Sequence, residues 1–356
     1  MSDLTTLNEY LHGAATEPLR RDAGRVVLAL AEAGRTIADL LAAGWLAGDL
    51  AAHRGDSAFG DTQKELDLRS NAIVLDALRS APVAFVASEE LDEPLALDRT
   101  ANLAVAIDPL DGSSNIDTNA PVGTIFSILP VLDGVASDES HLLQPGARQV
   151  AAGFFLYGPQ TSLVLTLGSG TRLFTLDRAS GQLLARREPL AVAPETGEYA
   201  INGSNWRHWD EPVRSYVSAL LMGSAGPRGC DYNTRWLASV VAEAFRILQR
   251  GGIYLYPGDS RPGYEQGRLR LTYEASPIAF LIEQAGGSAT DGRQRILDIA
   301  PRSIHQRIPL VFGSAREVEC IRACYEHAHA AEAHPLFGDR KLFRTGATMF
   351  GMPACP

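Results

Sequence analysis

Two aspartates three positions apart follow an apolar segment and could bind a divalent cation. Residues 103–107 read Leu-Ala-Val-Ala-Ile, and Asp108 and Asp111 come directly after them. Two carboxylates and the backbone carbonyl between them offer the hard oxygen ligands that suit Mg²⁺. Residues 112–114, Gly-Ser-Ser, follow at once, and the N–H groups and hydroxyls of such a turn can face an anion. An isolated pair with this spacing is more often a turn that caps a helix. The preceding strand and the following Gly-Ser-Ser favour a metal site beside an anion-binding turn.

A second group of carboxylates follows another predicted strand. Residues 83–87 are apolar and lead into Glu89 and Glu90, while Asp61 lies in a glycine-bearing loop and Asp67 at the start of the next helix. Adjacent strands would bring Glu89 and Glu90 close to the aspartate pair, and a cation would relieve the repulsion among these acidic groups. Taken alone, Glu89 and Glu90 also fit a solvated turn, and Asp61 and Asp67 also fit a helix entry.

The second half of the chain offers cations for a phosphate group. Arg268 and Arg270 lie two positions apart in a segment that alternates polar and apolar residues, so their side chains are predicted to project from one face of a strand. Two guanidinium groups on one face can bind a phosphate through paired hydrogen bonds, although a solvated strand edge explains the same pattern. Glu274 follows, beside the helix-start sequence Ser276-Pro277.

Helices and strands together must position these residues, and their order predicts an α/β protein with two layered domains. The predicted division is 1–190 for an N-terminal domain that carries most metal ligands, 191–330 for a substrate-binding domain and 331–356 for a tail. Apolar residues at three- and four-residue steps predict helices at 19–42, 64–79, 211–221 and 234–249. Short runs rich in branched residues predict strands at 83–87, 103–107, 124–132, 150–157, 162–167, 172–176, 252–256 and 309–312. Residues 1–18 are predicted to be a loose arm or a first helical turn, and residues 53–63 a loop.

Composition and charge limit the classes of function. A length of 356 residues fits about two domains, and 46% hydrophobic with 21% charged residues is typical of a globular chain. The net charge of −10 disfavours binding to nucleic acid or to an anionic membrane. Apolar runs fall short of the roughly 20 residues of a membrane span, and the N-terminal residues do not resemble a secretory signal. Because four cysteines are too few for a disulfide framework, a soluble cytoplasmic protein is expected.

The cysteines offer a weaker alternative metal site. Cys320 and Cys324 lie four positions apart on a predicted helix, and His327, His329 and His334 follow. Sulfur and imidazole ligands of this kind are typical of zinc. One packed helical face followed by a solvated tail explains the same residues better.

The acidic and basic motifs together closely resemble class I fructose-1,6-bisphosphatases, within the lithium-sensitive, magnesium-dependent sugar phosphatase superfamily. The similarity covers roughly residues 19–325, with markers at 60–68, 88–90, 107–117, 251–257, 270–274 and 304–307. Asp-Pro-Leu-Asp-Gly-Ser-Ser followed by Gly-Gly-Ile-Tyr-Leu-Tyr-Pro is a highly specific combination. The resemblance implies a layered α/β/α/β/α sandwich assembled as a homotetramer. It also implies hydrolysis of D-fructose 1,6-bisphosphate to fructose 6-phosphate and phosphate, in gluconeogenesis or the Calvin cycle.

The resemblance implies roles for individual residues as well. Mg²⁺, with Mn²⁺ as an alternative ion, would be bound by Glu89, Asp108, the Leu110 carbonyl, Asp111 and Glu274. Asp67 and Glu90 match positions that orient and deprotonate the attacking water, with Asp61 nearby in the loop. The positions that match substrate contacts are Asp111, Gly112, Ser113, Ser114, Asn202, Arg235, Trp236, Tyr256, Arg268 and Arg270. Of these, residues 112–114 would hold the scissile phosphate, and Arg235 would come from a neighbouring subunit.

Three departures from the family's pattern leave the substrate preference open. Trp236 stands where a tyrosine is usual, Arg268 where a lysine is usual, and Asn205 replaces an aromatic hydroxyl contact. The alternatives are a sedoheptulose 1,7-bisphosphatase, an inositol-phosphate-type phosphatase of the same superfamily, and a non-catalytic sugar-phosphate sensor. The complete set of acidic residues argues against the sensor. The segments that bind AMP in regulated members also differ here, so weak or absent AMP inhibition is expected.

Overall fold

The computed structural model describes residues 4–15, 17–56, 62–186 and 188–333. Its helices are α1 (Leu7–Ala14), α2 (Pro18–Ala43), α3 (Glu65–Arg79), α4 (Glu211–Leu221), α5 (Val240–Arg250), α6 (Ser276–Gln284) and α7 (Ala315–Ala333). Its strands are β1 (Leu4–Thr6), β2 (His53–Asp56), β3 (Thr62–Lys64), β4 (Phe85–Ser88), β5 (Leu95–Ala96), β6 (Leu103–Asp111), β7 (Val122–Pro130), β8 (Ala151–Tyr157), β9 (Thr161–Thr166), β10 (Thr171–Asp177), β11 (Gln182–Arg186), β12 (Glu198–Ala200), β13 (Asn233–Thr234), β14 (Ile253–Tyr256), β15 (Leu269–Arg270), β16 (Ser288–Thr290), β17 (Arg307–Ile308) and β18 (Leu310–Gly313).

Two large sheets form the framework of the described residues. One has nine strands in the order β1-β11-β10-β9-β8-β7-β6-β4-β5, and β4 and β6 are its parallel pair. The other has five strands in the order β13-β12-β14-β18-β16, with β12 parallel to both β13 and β14. Because parallel strands end at the same edge of a sheet, the residues that follow β4 and β6 lie together.

Helices cover both faces of the nine-stranded sheet. Along α2, Val26, Leu30 and Ile37 lie on one helical face, are at most 1% exposed and share an apolar cluster with Val105 and Ile107 of β6. On the opposite face of the sheet, α5 and α6 contribute to a second apolar cluster that also contains residues of the five-stranded sheet. These two helices therefore form a layer between the sheets.

A third apolar cluster closes the far face of the five-stranded sheet. Val213 of α4 and Ile321 of α7 pack there with Ile253 and Val311 of β14 and β18. The layers therefore run helix, sheet, helix, sheet, helix, which confirms the predicted α/β/α/β/α sandwich. Along the chain, β11 is the last strand of the nine-stranded sheet and β12 is the first strand of the five-stranded sheet. The domain boundaries at 190 and 330 stay a prediction.

Some predicted elements have different bounds in the structure. The helix predicted at 234–249 begins at Val240, because Thr234 belongs to β13 and the Ser239 hydroxyl caps the helix by accepting from the Ala242 N–H. The segment predicted as a loose arm, residues 1–18, contains β1 and α1. Thr6 and Glu9 cap the start of α1 through reciprocal hydrogen bonds. The loop predicted at 53–63 includes the hairpin strands β2 and β3.

The cysteines do not form the alternative zinc site within the described residues. Cys320 and Cys324 are free thiols of α7, and Cys320 Sγ accepts a hydrogen bond from Arg228 Nη1 at 2.9 Å inside the third apolar cluster. The described His, Cys, Asp and Glu residues form a candidate metal cluster elsewhere, from carboxylates. The side chain of His329 and all of His334 lie outside the described residues.

None of the described helices is both long and apolar enough to cross a membrane.

Candidate metal and phosphate site

Asp108 and Asp111 lie at the end of β6, which is longer than predicted. The register between β6 and β7 shifts between Asp108 and Asp111, and the Thr124 hydroxyl donates to the Pro109 carbonyl there at 2.9 Å. One carboxylate oxygen each of Asp108, Asp111 and Glu274 lies within 4.8 Å of the other two. The irregularity in β6 therefore accompanies a cluster of three carboxylates, two from β6 and one from a distant part of the chain.

Glu274 reaches this cluster from a π-helical turn, Leu271–Ala275, which leads into α6. Its Oε2 accepts a hydrogen bond from the Arg270 N–H at 2.6 Å. The side chain is 6% exposed. The alternation of residues 268–274 predicted a longer strand, whereas the structure has a two-residue strand followed by this turn, from which the Glu274 carboxylate joins the aspartates of β6.

Asp111 is held by the start of α5. Its Oδ2 accepts hydrogen bonds from the Ser239 hydroxyl at 2.8 Å and from the Val241 N–H at 3.0 Å. Ser239 thus caps α5 and fixes Asp111 at the same time. The contact joins the strand that carries the two aspartates to the helical layer between the sheets.

Burial and mutual repulsion make this cluster costly to ionise. Burial raises the pKa of Asp108 well above its usual value, and the nearby carboxylates of Glu89, Asp111 and Glu274 raise it further. Burial likewise raises the pKa of Glu274, and it raises that of Asp111 to about 6. A divalent cation would supply the missing positive charge. The donor set is made of carboxylate oxygens, which fits a hard ion such as Mg²⁺ or Mn²⁺.

Asp67 and Glu90 form a second pair of carboxylates beside the metal cluster. Asp67 Oδ2 accepts from the Lys64 N–H at 2.7 Å, whereas its Oδ1 is buried and has no hydrogen-bond partner among the described residues. Burial, with a further contribution from the charge of Glu90, raises the pKa of Asp67 to about 7. Glu90 Oε2 accepts from Gln63 Nε2 at 2.6 Å. A buried carboxylate with a pKa near 7 can both accept and release a proton at neutral pH.

The turn at residues 112–114 lies at the edge of the same space. Gly112 has φ 80° and ψ 30°, a left-handed conformation, and a Cβ added to it would lie 3.0 Å from Ser239 Cβ. The Ser113 carbonyl accepts from Lys64 Nζ at 3.1 Å. Ser114 is exposed. The left-handed backbone at position 112 and its close approach to Ser239 therefore both favour a glycine there.

One cavity of about 320 Å³ joins these groups. Its lining residues are Gln63, Asp67, Glu89, Glu90, Asp108, Leu110, Asp111, Gly112, Ser113 and Glu274. All five predicted metal-binding positions are among them, together with Asp67, Glu90 and part of the Gly-Ser-Ser turn. Asp61 lies outside the described residues.

The residues predicted to contact the sugar and the distal phosphate do not line this cavity. Trp236 packs against Tyr254 and Tyr256, with ring centroids 5.9 and 6.0 Å apart. The Asn202 side chain accepts from Ser204 Oγ at 2.6 Å. The side chain of Arg235 is 47% exposed, and its Nε lies 3.5 Å from a Glu198 carboxylate oxygen.

The two arginines around β15 have different surroundings. Arg270 is 3% exposed, and its Nε lies 3.8 Å from Glu89 Oε1. Arg268 is exposed, and its guanidinium carbon lies 3.8 Å from the centroid of the Tyr264 ring. The two guanidinium groups therefore differ in burial and in the residues they contact.

Two residues that shape the cavity were missed in the sequence. Ser239 precedes an apolar run, as capping serines do, so its place at a helix start was readable but its bond to Asp111 was not. Gln63 lies in a short strand beside the glycine-bearing loop and carries no local signal of its contact with Glu90.

Comparison with known protein families gives a match over most of the chain. Residues 7–188 match the model of the fructose-1,6-bisphosphatase N-terminal domain, and residues 192–326 match that of the C-terminal domain.

Individual proteins are similar over nearly the whole chain. A fructose-1,6-bisphosphatase class 1 from Acidiphilium cryptum is 58% identical over 347 residues, which cover 97% of this chain and 98% of that protein. One from Azorhizobium caulinodans is 54% identical over 329 residues, covering 91% of this chain and 100% of that protein. Among solved structures, Leishmania major fructose-1,6-bisphosphatase in holo form superposes with a TM-score of 0.84 at 32% identity, covering 90% of this chain and 99% of that one.

Proposed function

Because the chain belongs to the class 1 fructose-1,6-bisphosphatase family, we propose that it hydrolyses D-fructose 1,6-bisphosphate to fructose 6-phosphate and phosphate with Mg²⁺. It is a phosphoric monoester hydrolase. The observation that carries the proposal is the buried cluster of Asp108, Asp111 and Glu274 beside the Gly-Ser-Ser turn. Carboxylates for a cation next to N–H groups and hydroxyls for an anion suit the metal-assisted cleavage of a phosphate ester.

The carboxylates of the cavity divide into two sets in the proposed reaction. Glu89, Asp108, Asp111, Glu274 and the Leu110 carbonyl would hold Mg²⁺, with Mn²⁺ as an alternative ion. When bound, the metal would neutralise charge on the phosphoryl group and lower the pKa of water. Asp67 and Glu90 would orient the attacking water and accept its proton, for which the raised pKa of Asp67, about 7, is suited. Asp61 would act near them.

Contacts to the substrate come from both halves of the chain in this proposal. Residues 112–114 and Asp111 would hold the phosphate that is cleaved. The sugar and the distal phosphate would be bound by Asn202, Arg235, Trp236, Tyr256, Arg268 and Arg270. Arg235 would serve the site of a neighbouring subunit in a homotetramer, and its exposed side chain is compatible with such a role. We further propose a cytoplasmic location and a place in gluconeogenesis or the Calvin cycle.

The proposal is tested by a phosphate-release assay on three substrates, with and without Mg²⁺. Fructose 1,6-bisphosphate, sedoheptulose 1,7-bisphosphate and inositol 1-phosphate would be compared at equal concentrations of the purified protein. We expect the highest kcat/KM for fructose 1,6-bisphosphate, because the family assignment favours that substrate. A higher value for the seven-carbon sugar or for the inositol phosphate would replace the proposed substrate. Binding of the bisphosphates without phosphate release would favour the sensor.

Replacing Arg268 is expected to weaken substrate binding more than it slows the reaction. A hydrogen bond to a charged group contributes about 1.5–3 kcal/mol, so Arg268→Ala should raise KM for fructose 1,6-bisphosphate by about tenfold or more. The kcat should change little, because Arg268 lies outside the acidic cavity. Steady-state kinetics would check this, with the exposed Arg178→Ala as the matched control. An unchanged KM for Arg268→Ala would remove this residue from the substrate site.

A further inference from the structure

Gln63 makes a direct contact with one of the proposed water-orienting carboxylates. Its Nε2 donates to Glu90 Oε2 at 2.6 Å, and both side chains are partly buried in the wall of the acidic cavity. The residues are 27 positions apart, on β3 and just after β4. A neutral amide can fix one oxygen of a carboxylate without adding a charge that would compete with a bound cation.

The short strand that carries Gln63 also contacts the other parts of the site. The next residue, Lys64, donates its N–H to Asp67 Oδ2 and its Nζ to the Ser113 carbonyl. Lys64 also pairs with Asp117 at 2.9 Å, beyond the Gly-Ser-Ser turn. Strand β3 therefore touches both water-orienting carboxylates and the phosphate-binding turn.

We propose that Gln63 is a positioning residue for the reaction and that it aims the Glu90 carboxylate at the attacking water. This inference rests on the proposed function. A glutamate side chain has three rotatable bonds, and an anchored Oε2 fixes the direction of Oε1 relative to Asp67 and the metal cluster. Reactions that depend on alignment lose rate when one group moves by about 1 Å. Gln63 acts through Glu90 and contributes no bond to the reacting atoms.

The test is a comparison of kcat and KM for two variants of Gln63. Gln63→Leu keeps the approximate size of the side chain and removes the donor, and we expect kcat to fall about tenfold while KM stays within about twofold. Gln63→Glu places a carboxylate against Glu90, and the loss of kcat should be at least as large because like charges repel. The matched control is Gln266→Leu, at an exposed glutamine outside the cavity, which should behave as the unmodified protein.

The outcomes separate this inference from the proposed function. If the unmodified protein hydrolyses none of the sugar phosphates, the proposed function fails. If it is active and Gln63→Leu has the same kcat, only the inference about Gln63 fails. A rise in KM that matches the fall in kcat, together with a lower melting temperature, would show that Gln63 merely supports the shape of β3. That result would also overturn the inference.

Discussion

Asp108→Asn is expected to lower kcat by about a thousandfold at saturating Mg²⁺, a loss of about 4 kcal/mol of transition-state stabilisation. Asp108 is 3% exposed and lies within 4.8 Å of the two other carboxylates of the cluster. Asparagine has nearly the same shape, and its Oδ1 can still accept from the Leu110 N–H, which donates to Asp108 Oδ1 at 2.9 Å. The variant therefore removes one negative charge without opening a cavity. Steady-state kinetics with a metal titration would measure the effect.

The stability of the Asp108 variant provides the control for folding. Because burial raises the pKa of Asp108, and repulsion from Glu89, Asp111 and Glu274 raises it further, removal of its charge should leave the metal-free protein at least as stable. Thermal denaturation in the presence of a chelator would show this. The exposed Asp133→Asn is the matched variant and should change neither kcat nor stability. An Asp108→Asn protein that is well folded and releases phosphate at a near-normal rate would refute the role of Asp108 as a metal ligand.

The part of the acidic cluster formed by Asp108, Asp111 and Glu89 could be predicted from local signals, whereas Glu274 was implied only by the family resemblance. Residues 103–111 combine a buried strand with two aspartates, and Glu89 follows a strand that pairs in parallel with it. Parallel pairing then places both acidic segments at one edge of the sheet. The hydrogen bond between Ser239 and Asp111 spans 128 positions, and no local pattern indicates it. The sequence therefore predicted which acidic residues lie together, but not the hydrogen bonds that hold them in place.

The segment around the arginines shows where a periodic pattern predicted too long a strand. The alternation around Arg268 and Arg270 predicted a strand with both side chains on one face. The observed strand β15 has two residues, and a π-helical turn begins directly after it. Arg270 is buried beside Glu89, and Arg268 stacks on Tyr264. A period of two residues holds only while the backbone stays extended, and Arg268 lies outside the two-residue strand, so the shared face of the two arginines stays a prediction.

The pKa values of the cluster predict how stability depends on pH when no metal is bound. The carboxyl of Asp111 has a pKa of about 6 in the folded protein and an ordinary value of 3.8. The folded protein therefore binds a proton at Asp111 more tightly than the unfolded chain does. The same holds for Asp108 and Glu274, whose pKa values are also raised in the folded protein. Since the unfolded state then binds fewer protons, the free energy of unfolding of the metal-free protein falls as pH rises from about 4 through the folded-state pKa values. Below about pH 4 this penalty is absent.

Removal of divalent metal should therefore abolish hydrolysis and destabilise the protein more at high pH than at low pH. With excess chelator, we expect phosphate release at background level and full recovery when Mg²⁺ is returned, because the carboxylates lose the charge that balances them. Binding at a hundredfold excess over Kd contributes about 2.7 kcal/mol, so Mg²⁺ should raise the melting temperature by about 4 °C at pH 8. At pH 5.5 the rise should be much smaller, since protons compete with the metal for Asp108, Asp111 and Glu274. Differential scanning calorimetry at both pH values would measure these shifts.

The Asp108→Asn protein should show a reduced shift at pH 8. An equal Mg²⁺ shift at both pH values, or undiminished hydrolysis in chelator, would mean that this cluster does not bind the metal.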